Sequence, residues 1–150
     1  MNCRPCLILV SALGLAACTG TPAPTVEVLR AEFSDQSPEG EVVRFDLVAT
    51  NTSKDPVPLR SIDYEFVLDG ETVFRGEREA ESTVRRFGAQ VVSVPVPIPA
   101  ELVRTGSVPY VLRGSIQYLP ASPLLRVLYD AGLPTPRTSF RDEGAIDFGP

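Results

Sequence analysis

Three cysteines carry the most reactive side chains of this 150-residue sequence, and no histidine accompanies them. Cys3 and Cys6 have the C-x-x-C spacing of redox and zinc motifs. Both lie in the first seventeen residues, which have the composition of a segment removed during export. A serine or cysteine nucleophile needs a neighbouring base, and a structural zinc site needs several Cys or His ligands. The sequence therefore predicts no nucleophilic catalytic residue and no zinc site, and we expect a protein that is not an enzyme.

The start of the chain follows the order of a signal peptide. Arg4 supplies positive charge, and the apolar run that follows is too short to span a bilayer as a stable helix. The residues Leu15, Ala16 and Ala17 then lead directly to Cys18. We expect cleavage immediately before Cys18.

The stretch from Leu15 to Cys18 resembles the lipobox of bacterial lipoproteins. That resemblance implies that Cys18 is diacylated on its sulfur, becomes the first residue after cleavage and is then usually acylated on its amino group. Two or three acyl chains would anchor the domain durably, because each buried methylene contributes about 0.8 kcal/mol. The alternative is an unmodified Cys18 behind an ordinary signal peptide. No cysteine follows Cys18, so the mature chain forms no internal disulfide.

A short polar tether, residues 18–25, follows the lipobox and contains Gly20, Pro22 and Pro24. Under the usual sorting rule of bacteria with two membranes, Thr19 is compatible with export to the outer membrane. We therefore expect a lipid-anchored protein of the bacterial cell envelope that faces the periplasm, with the outer membrane favoured where there are two membranes.

Acidic side chains are the remaining candidates for chemistry. Asp142, Glu143 and Asp147 could place several oxygen atoms in one loop, but they lack the ligand spacing of calcium loops, and a solvated turn is favoured. The charged run 77–87 could bind a cation or a basic partner, and an exposed loop is favoured there. The formal net charge is −5, and arginines alternate with acidic residues. Nucleic-acid binding requires clustered basic residues and is not expected.

The elements that must position these residues are centred on the stretch 43–76. Apolar and polar residues alternate over 43–51 and again over 61–68, which predicts two half-buried strands. A third strand, 72–76, returns beside the second. This unit of strands offers an apolar face against which other strands can pack.

Two connections within this unit have sequence signals of their own. The corner between the first two strands runs from Asn51 to Pro58, and the side chain of Asn51 can bond backbone groups there. The second connection is Asp69-Gly70, a pair that adopts the positive φ angles of a tight hairpin turn. We expect both sites to be structural.

Further strands are predicted on both sides of this unit. Fifteen prolines and regularly spaced turn signals favour an all-β chain. The first strand, 26–33, has an irregularity near Leu29, and a turn is expected over 34–40. Pro95 and Pro97 mark an edge strand because they lack backbone N–H groups. The remaining strand segments are 90–98, 110–118 and 140–148. Together they predict an antiparallel fibronectin-III-like or immunoglobulin-like sandwich of about seven strands.

One segment, 122–131, predicts a short helix instead. Ser122 is suited to the N-cap, Pro123 to the first helical position, and Gly132 to the end of the helix. The apolar residues between them could present a surface to lipid or to a partner, or could cover one open end of the sandwich. The second interpretation is favoured, because short apolar helices are usually buried.

Residues 26–148 resemble the group 2 late-embryogenesis-abundant domain, also called the water stress and hypersensitive response domain. The resemblance rests on a strand that ends in Asn51, the stretch 58–70, the valine-proline strand 92–97 and a set of glycines and one tyrosine: Gly76, Tyr110, Gly114 and Gly144. Thr52 and Ser53 replace the Pro and Asn that are usual in that family. The resemblance implies a fibronectin-III-like sandwich with no cofactor and no catalytic residue, and a role in desiccation and related stress.

The predicted organisation is thus a signal peptide at 1–17, a lipidated tether at 18–25 and a late-embryogenesis-type sandwich at 26–149. The favoured function is a non-catalytic envelope lipoprotein with a protective or binding role in water stress. The alternative is a periplasmic binding or assembly lipoprotein that recruits a protein partner through an edge strand or the 122–131 helix. The membrane is the expected partner through Cys18, and the chain is expected to be a monomer.

Overall fold

The structure is a computed structural model that describes residues 22–149. Its seven strands are β1 (Thr25–Ser37), β2 (Gly40–Asn51), β3 (Val57–Leu68), β4 (Glu71–Val84), β5 (Gly88–Pro99), β6 (Ser107–Tyr118) and β7 (Arg137–Asp147). A 3-10 turn (Ala100–Leu102) follows β5, and one helix, α1 (Pro123–Asp130), lies between β6 and β7.

The strands form two antiparallel sheets that face each other. One sheet has the order β1-β2-β5 and the other the order β4-β3-β6-β7. The predicted all-β antiparallel sandwich of seven strands with one short helix is confirmed.

The core lies between β2 and β3, where the sequence alternates most regularly. On β2, every second residue from Val43 to Ala49 is at most 1% exposed. Its neighbours across the core include Ile62 and Phe66 on β3, both fully buried. The ring of Phe45 lies 5.6 Å from that of Phe66 and 5.4 Å from that of Tyr110. Each fully buried side chain of this size contributes about 1.5–3 kcal/mol, so this alternation supplies much of the stability of the fold.

Two strands are longer than the sequence predicts. The charged run after Gly76 continues β4 as far as Val84 and is not an exposed loop. An apolar period is missing there because β4 is an edge strand with most side chains in solvent, and in the run 77–84 only Ala80 and Val84 reach the core. Residues 34–37 likewise extend β1 along β2 and are not part of a turn.

Other features of the strands agree with the sequence analysis. The register of β1 against β2 shifts between Val28 and Arg30, and Leu29 between them is 61% exposed. β5 lies at the edge of its sheet, as its prolines predict. β3 begins at Val57, before the predicted start at Ser61, so that the corner is reduced to residues 52–56.

The helix forms where it is predicted but does not cover the core. The hydroxyl of Ser122 accepts a hydrogen bond from the backbone N–H of Leu125, as expected for an N-cap. Leu124 and Val127 are 69% and 64% exposed, and no residue of α1 is buried. The predicted lid is therefore wrong. Asn51, Val57 and Val84 already fill this end of the sandwich, so there is no apolar opening for the helix to cover.

Within residues 22–149, no helix has the length and apolar character needed to cross a membrane.

Candidate functional site

The corner after β2 is organised by the side chain of Asn51, which is 1% exposed. Its amide nitrogen donates to the carbonyl oxygens of Asp55 at 2.8 Å and Arg85 at 3.2 Å. These two carbonyls belong to the β2–β3 and β4–β5 connections, each of which crosses from one sheet to the other at this end. One amide group thereby ties both connections to the end of β2.

The acceptor side of Asn51 binds Ser53, which is also buried. The carboxamide oxygen accepts from the backbone N–H of Ser53 at 2.9 Å and lies 2.7 Å from its hydroxyl oxygen. That hydroxyl also lies 2.8 Å from the carbonyl oxygen of Asp55, and its single proton can be donated to only one of the two acceptors at a time. Ser53, which replaces the Asn usual in the family, therefore supplies a hydrogen-bonding side chain to the corner.

Pro58 and the Asp69-Gly70 pair have backbone roles. Pro58 lies near the start of β3, and its carbonyl oxygen accepts a hydrogen bond from the N–H of Leu119 at 2.9 Å, which fixes the chain between β6 and α1. Asp69 and Gly70 have φ angles of +49° and +80° and form the two-residue turn from β3 to β4. Both positive angles belong to a type I′ hairpin turn.

Tyr64 joins the two sheets through the outer side of β5. Its hydroxyl donates to the carbonyl oxygen of Pro95 at 2.6 Å, and Arg78 donates to the carbonyl oxygen of Ser93 at 2.6 Å. Pro95, Pro97 and Pro99 recur at every second residue, so all three remove N–H groups from this same side of the strand. The free side of β5 is thus poor in donors, and two of its carbonyls already have partners.

Glycines in the four-stranded sheet make room for aromatic rings. A Cβ atom on Gly114 would lie 2.5 Å from the Phe140 ring and 2.4 Å from the backbone oxygen of Asp63. A Cβ atom on Gly144 would lie 2.9 Å from the hydroxyl of Tyr110. Both glycines belong to the pattern on which the family resemblance rests, and their physical role is close packing of a ring against the backbone.

Several acidic residues on the sheet surfaces are paired with arginines. Glu65 lies between Arg75 at 2.7 Å and Arg113 at 2.6 Å, and hydrogen bonds from these two arginines and Thr72 lower the pKa of its carboxyl to about 2. Beside Glu65 and its two arginines lies an open groove of about 800 Å³, whose lining includes Gly114. The groove is shallow and is lined partly by charged side chains, and its shape is too open to surround a bound molecule.

Asp46 is the most deeply buried carboxylate in the described part of the chain. Its two oxygens accept from the hydroxyl of Ser93 at 2.6 Å and from the guanidinium of Arg30 at 2.7 Å. These two hydrogen bonds, with that of Ser93 the stronger influence, lower the pKa of Asp46. The carboxylate therefore links β1, β2 and β5 across the outer face of the three-stranded sheet.

The acidic residues near the C-terminus are separated by their positions on β7. Asp142 accepts a hydrogen bond from the hydroxyl of Tyr110 at 2.6 Å, and burial together with this carboxylate raises the pKa of the phenol. Glu143 pairs instead with Arg141 at 2.6 Å. Asp142 and Glu143 are part of a strand, not of the solvated turn expected from sequence. In residues 22–149 no cluster of three or more His, Cys, Asp or Glu side chains could hold a metal ion.

The sequence-predicted lipidation site, Cys18, and its cleavage motif, Leu15, Ala16 and Ala17, lie outside the described residues. The residues that can be placed are Asn51 and Pro58 at one end of the sandwich and Asp69 and Gly70 at the other. The structure does not bring these two pairs together. Sequence reasoning missed the Tyr64–Pro95 contact and the role of Asp46, since a period-2 pattern identifies faces of strands but not the partners across sheets.

Three strands packed against four in this order define a fibronectin-III-like sandwich. Solved structures with a similar fold include AT1g01470 from Arabidopsis thaliana, with 14% identity, a TM-score of 0.66 and coverage of 94% of this chain and 92% of that one. A candidate late embryogenesis abundant (LEA) protein, At2g46140.1, has 18% identity, a TM-score of 0.61 and coverage of 84% and 72%. A protein from Archaeoglobus fulgidus has 11% identity, a TM-score of 0.57 and coverage of 82% and 94%.

No family model and no curated protein matches the sequence. At these identities the structural likeness shows a shared fold, which occurs in a LEA-like protein.

Proposed function

We propose that the chain is a non-catalytic, lipid-anchored lipoprotein of the bacterial cell envelope whose folded domain serves in the response to water stress. The observation that carries the stress role is the shared sandwich fold with the candidate LEA protein over 84% of this chain. The anchoring rests on the sequence that ends at Cys18, seven residues before the start of β1. The domain is proposed to face the periplasm, on the outer membrane where there are two membranes.

The surface of the described domain is suited to a protective or binding role. Several charged side chains form cross-strand pairs, among them Glu65 with two arginines and Asp46 with Arg30. Such surfaces are well hydrated and soluble. The stability of the fold comes from its apolar core, so the domain can persist as a folded unit beside the membrane.

The alternative function is the recruitment of a protein partner. Of its two proposed contact sites, the outer side of β5 is the weaker, because Ser93 and Pro95 have bonded carbonyls and three prolines lack N–H groups. An added strand needs a continuous row of free donors and acceptors. The exposed side chains of Leu124 and Val127 on α1 favour the helix as a contact site.

A deletion strain separates these functions. We expect loss of the gene to lower survival after drying and osmotic shock, and we expect restoration by the intact gene but not by a Cys18→Ser variant. The variant should accumulate as a folded domain that carries no acyl chains and retains residues 1–17, which its size on immunoblots and its intact mass check. If survival is unchanged while the anchored protein co-purifies with one stoichiometric partner, the stress role is wrong and the recruiting function is favoured.

A further inference from the structure

The two ends of the sandwich differ in what their connections expose. We name the end at which β1 begins the proximal end; its connections are 52–56, 85–87 and 119–136. The register places Thr25 beside Thr50, Asn51 beside Gly88, and Gln117 beside Arg137, so all three connections lie at this end. The distal end has the connections 38–39, 69–70 and 100–106.

Exposed apolar side chains are concentrated at the proximal end. Within residues 22–149, seven large hydrophobic side chains are exposed, and four of them lie in the proximal connections: Phe87 at 71%, Leu124 at 69%, Val127 at 64% and Leu133 at 48%. The other three lie in strands, and none lies in a distal connection. Exposed apolar residues that gather at one end of a domain indicate a contact surface.

Basic side chains gather at the same end although the chain is acidic overall. The proximal connections contain four basic residues, Lys54, Arg85, Arg86 and Arg126, against two acidic ones, Asp55 and Asp130. The distal connections contain three acidic residues, Glu39, Asp69 and Glu101, against one basic residue, Arg104. None of the four proximal basic residues belongs to an ion pair formed within the described part of the chain. The alternation of charge along the sequence hides this asymmetry.

The tip of the β4–β5 connection combines both properties. Arg85 and Arg86 are exposed and directly precede Phe87, which has a positive φ of +48°. Its backbone N–H donates to the carbonyl oxygen of Ser53 at 3.1 Å, so the corner organised by Asn51 supports the tip. An aromatic ring next to two arginines on a supported turn is suited to the boundary between acyl chains and anionic headgroups.

We propose that the proximal end is a membrane-docking surface, which places Phe87 and the apolar residues of α1 at the bilayer interface and the arginines against anionic lipid. This inference rests on the proposed lipid anchor, because the chain leads from Cys18 into β1 at this end. The distal end then faces away from the membrane and presents its acidic connections to the periplasm.

Single tryptophans test this orientation, since the sequence contains none. Phe87→Trp places a reporter at the proximal end, and Thr105→Trp places a matched exposed reporter at the distal end. Each chain, from Cys18 onward, is coupled through its single thiol to a maleimide lipid in vesicles of phosphatidylcholine and phosphatidylglycerol with brominated acyl chains. We expect the emission of Trp at 87 to shift to shorter wavelength and to be quenched, with neither change at 105. Equal behaviour of the two reporters would overturn the proposal.

Other occupants of the surface give different results in the same system. A blue shift at position 87 without vesicles, with a doubled mass by light scattering, would assign the surface to a second copy of the chain and overturn the proposal. A shift that requires an added envelope protein and not lipid would assign it to a protein partner, with the same consequence.

The charge contribution is measured on the untethered Cys18→Ser chain with anionic vesicles. Since each basic residue near an anionic surface adds to the attraction, the pair Arg85→Gln and Arg86→Gln should weaken binding roughly tenfold to thirtyfold. Arg104→Gln at the distal end is the matched control and should leave binding unchanged. An equal loss in both would contradict a specific docking end.

Coupling the Cys18 thiol to a lipid separates a failure of the docking proposal from a failure of the proposed anchor. Chemical coupling supplies the tether whether or not cells acylate Cys18, so an unmodified cysteine in the native protein would refute the proposed anchor and leave the docking test intact. Conversely, an unquenched reporter at 87 in a natively acylated protein would refute docking and leave the anchor intact.

Discussion

The hydroxyl of Tyr64 donates to the carbonyl oxygen of Pro95 at 2.6 Å and joins the two sheets through the outer side of the edge strand β5, where three prolines lack N–H groups. In the register, Tyr64 lies between Gly76 on β4 and Gly114 on β6. The ring of Phe140 packs over Gly114 and that of Phe74 over Gly76, so Tyr64 is flanked by two further aromatic rings. Burial raises the pKa of this phenol, so it remains a donor at neutral pH.

Removal of the Tyr64 hydroxyl should show how much the hydrogen bond between the sheets contributes to the free energy of unfolding. We expect Tyr64→Phe to lower the free energy of unfolding by about 1 kcal/mol, since the Pro95 carbonyl loses its partner while the ring still packs. Urea unfolding followed by circular dichroism gives the difference. Tyr129→Phe, at a half-buried position in α1, is the control and should have little effect. Equal losses for the two variants would contradict the role given to Tyr64.

Asn51 should be the most sensitive polar residue of the fold. Asn51→Ala removes the donor to the Asp55 and Arg85 carbonyls and the acceptor for Ser53, so we expect a loss of about 2–4 kcal/mol. Asn51→Asp keeps the acceptor but turns a negative charge toward those two carbonyls, and it should be comparably destabilising. Thr52→Ala, at the exposed neighbouring position, is the control. A loss below about 1 kcal/mol for both Asn51 variants would show that the corner holds without its amide.

Gly114 should tolerate no side chain. We expect Gly114→Ala to lower the free energy of unfolding by at least about 2 kcal/mol, because its Cβ would lie 2.4 Å from the backbone oxygen of Asp63, which cannot rotate away. The thermal midpoint should fall accordingly. Ser115→Ala on the same strand provides the comparison and should change stability little. If the two alanine variants unfold at the same temperature, the close packing inferred here is incorrect.

The free energy of unfolding should fall in acid, because Glu65 and Asp46 then become protonated. The pKa values of Glu65 and Asp46 are lower in the folded protein than in the unfolded chain, where carboxyls titrate near about 4. Their contribution is therefore complete above about pH 5 and is lost as the pH falls toward the folded value of about 2 for Glu65. Glu65→Gln should be less stable than the parent at pH 7 and should show a shallower decline between pH 5 and pH 2. Parallel curves for variant and parent would contradict this assignment.

The sequence was sufficient for the fold because the core strands are regular. The alternation of β2 and β3, the Asp69-Gly70 turn and the Ser122 cap each have a local physical cause, and each forms as predicted. The full lengths of β1 and β4 could not be predicted, since edge strands in solvent keep their ladder without an apolar period.

The exposure of α1 also could not be predicted from the sequence. Its apolar residues are compatible with burial or with a contact surface, and the choice depends on whether the end of the sandwich is already filled. Asn51, Val57 and Val84 fill it, and Val84, at the end of β4, is brought beside the other two only by the fold. The basic proximal end likewise depends on three connections that only the fold brings together.

Mass spectrometry of the mature protein from its native membrane tests the central claim most directly. We predict a chain that begins at Cys18, carries a diacylglyceryl group and, where the amino group is acylated, a third acyl chain. Mutation to Ser at this position should abolish processing and the mass increment together. A mature protein with a free Cys18 thiol, or one that retains residues 1–17, would contradict the account of a lipid-anchored domain.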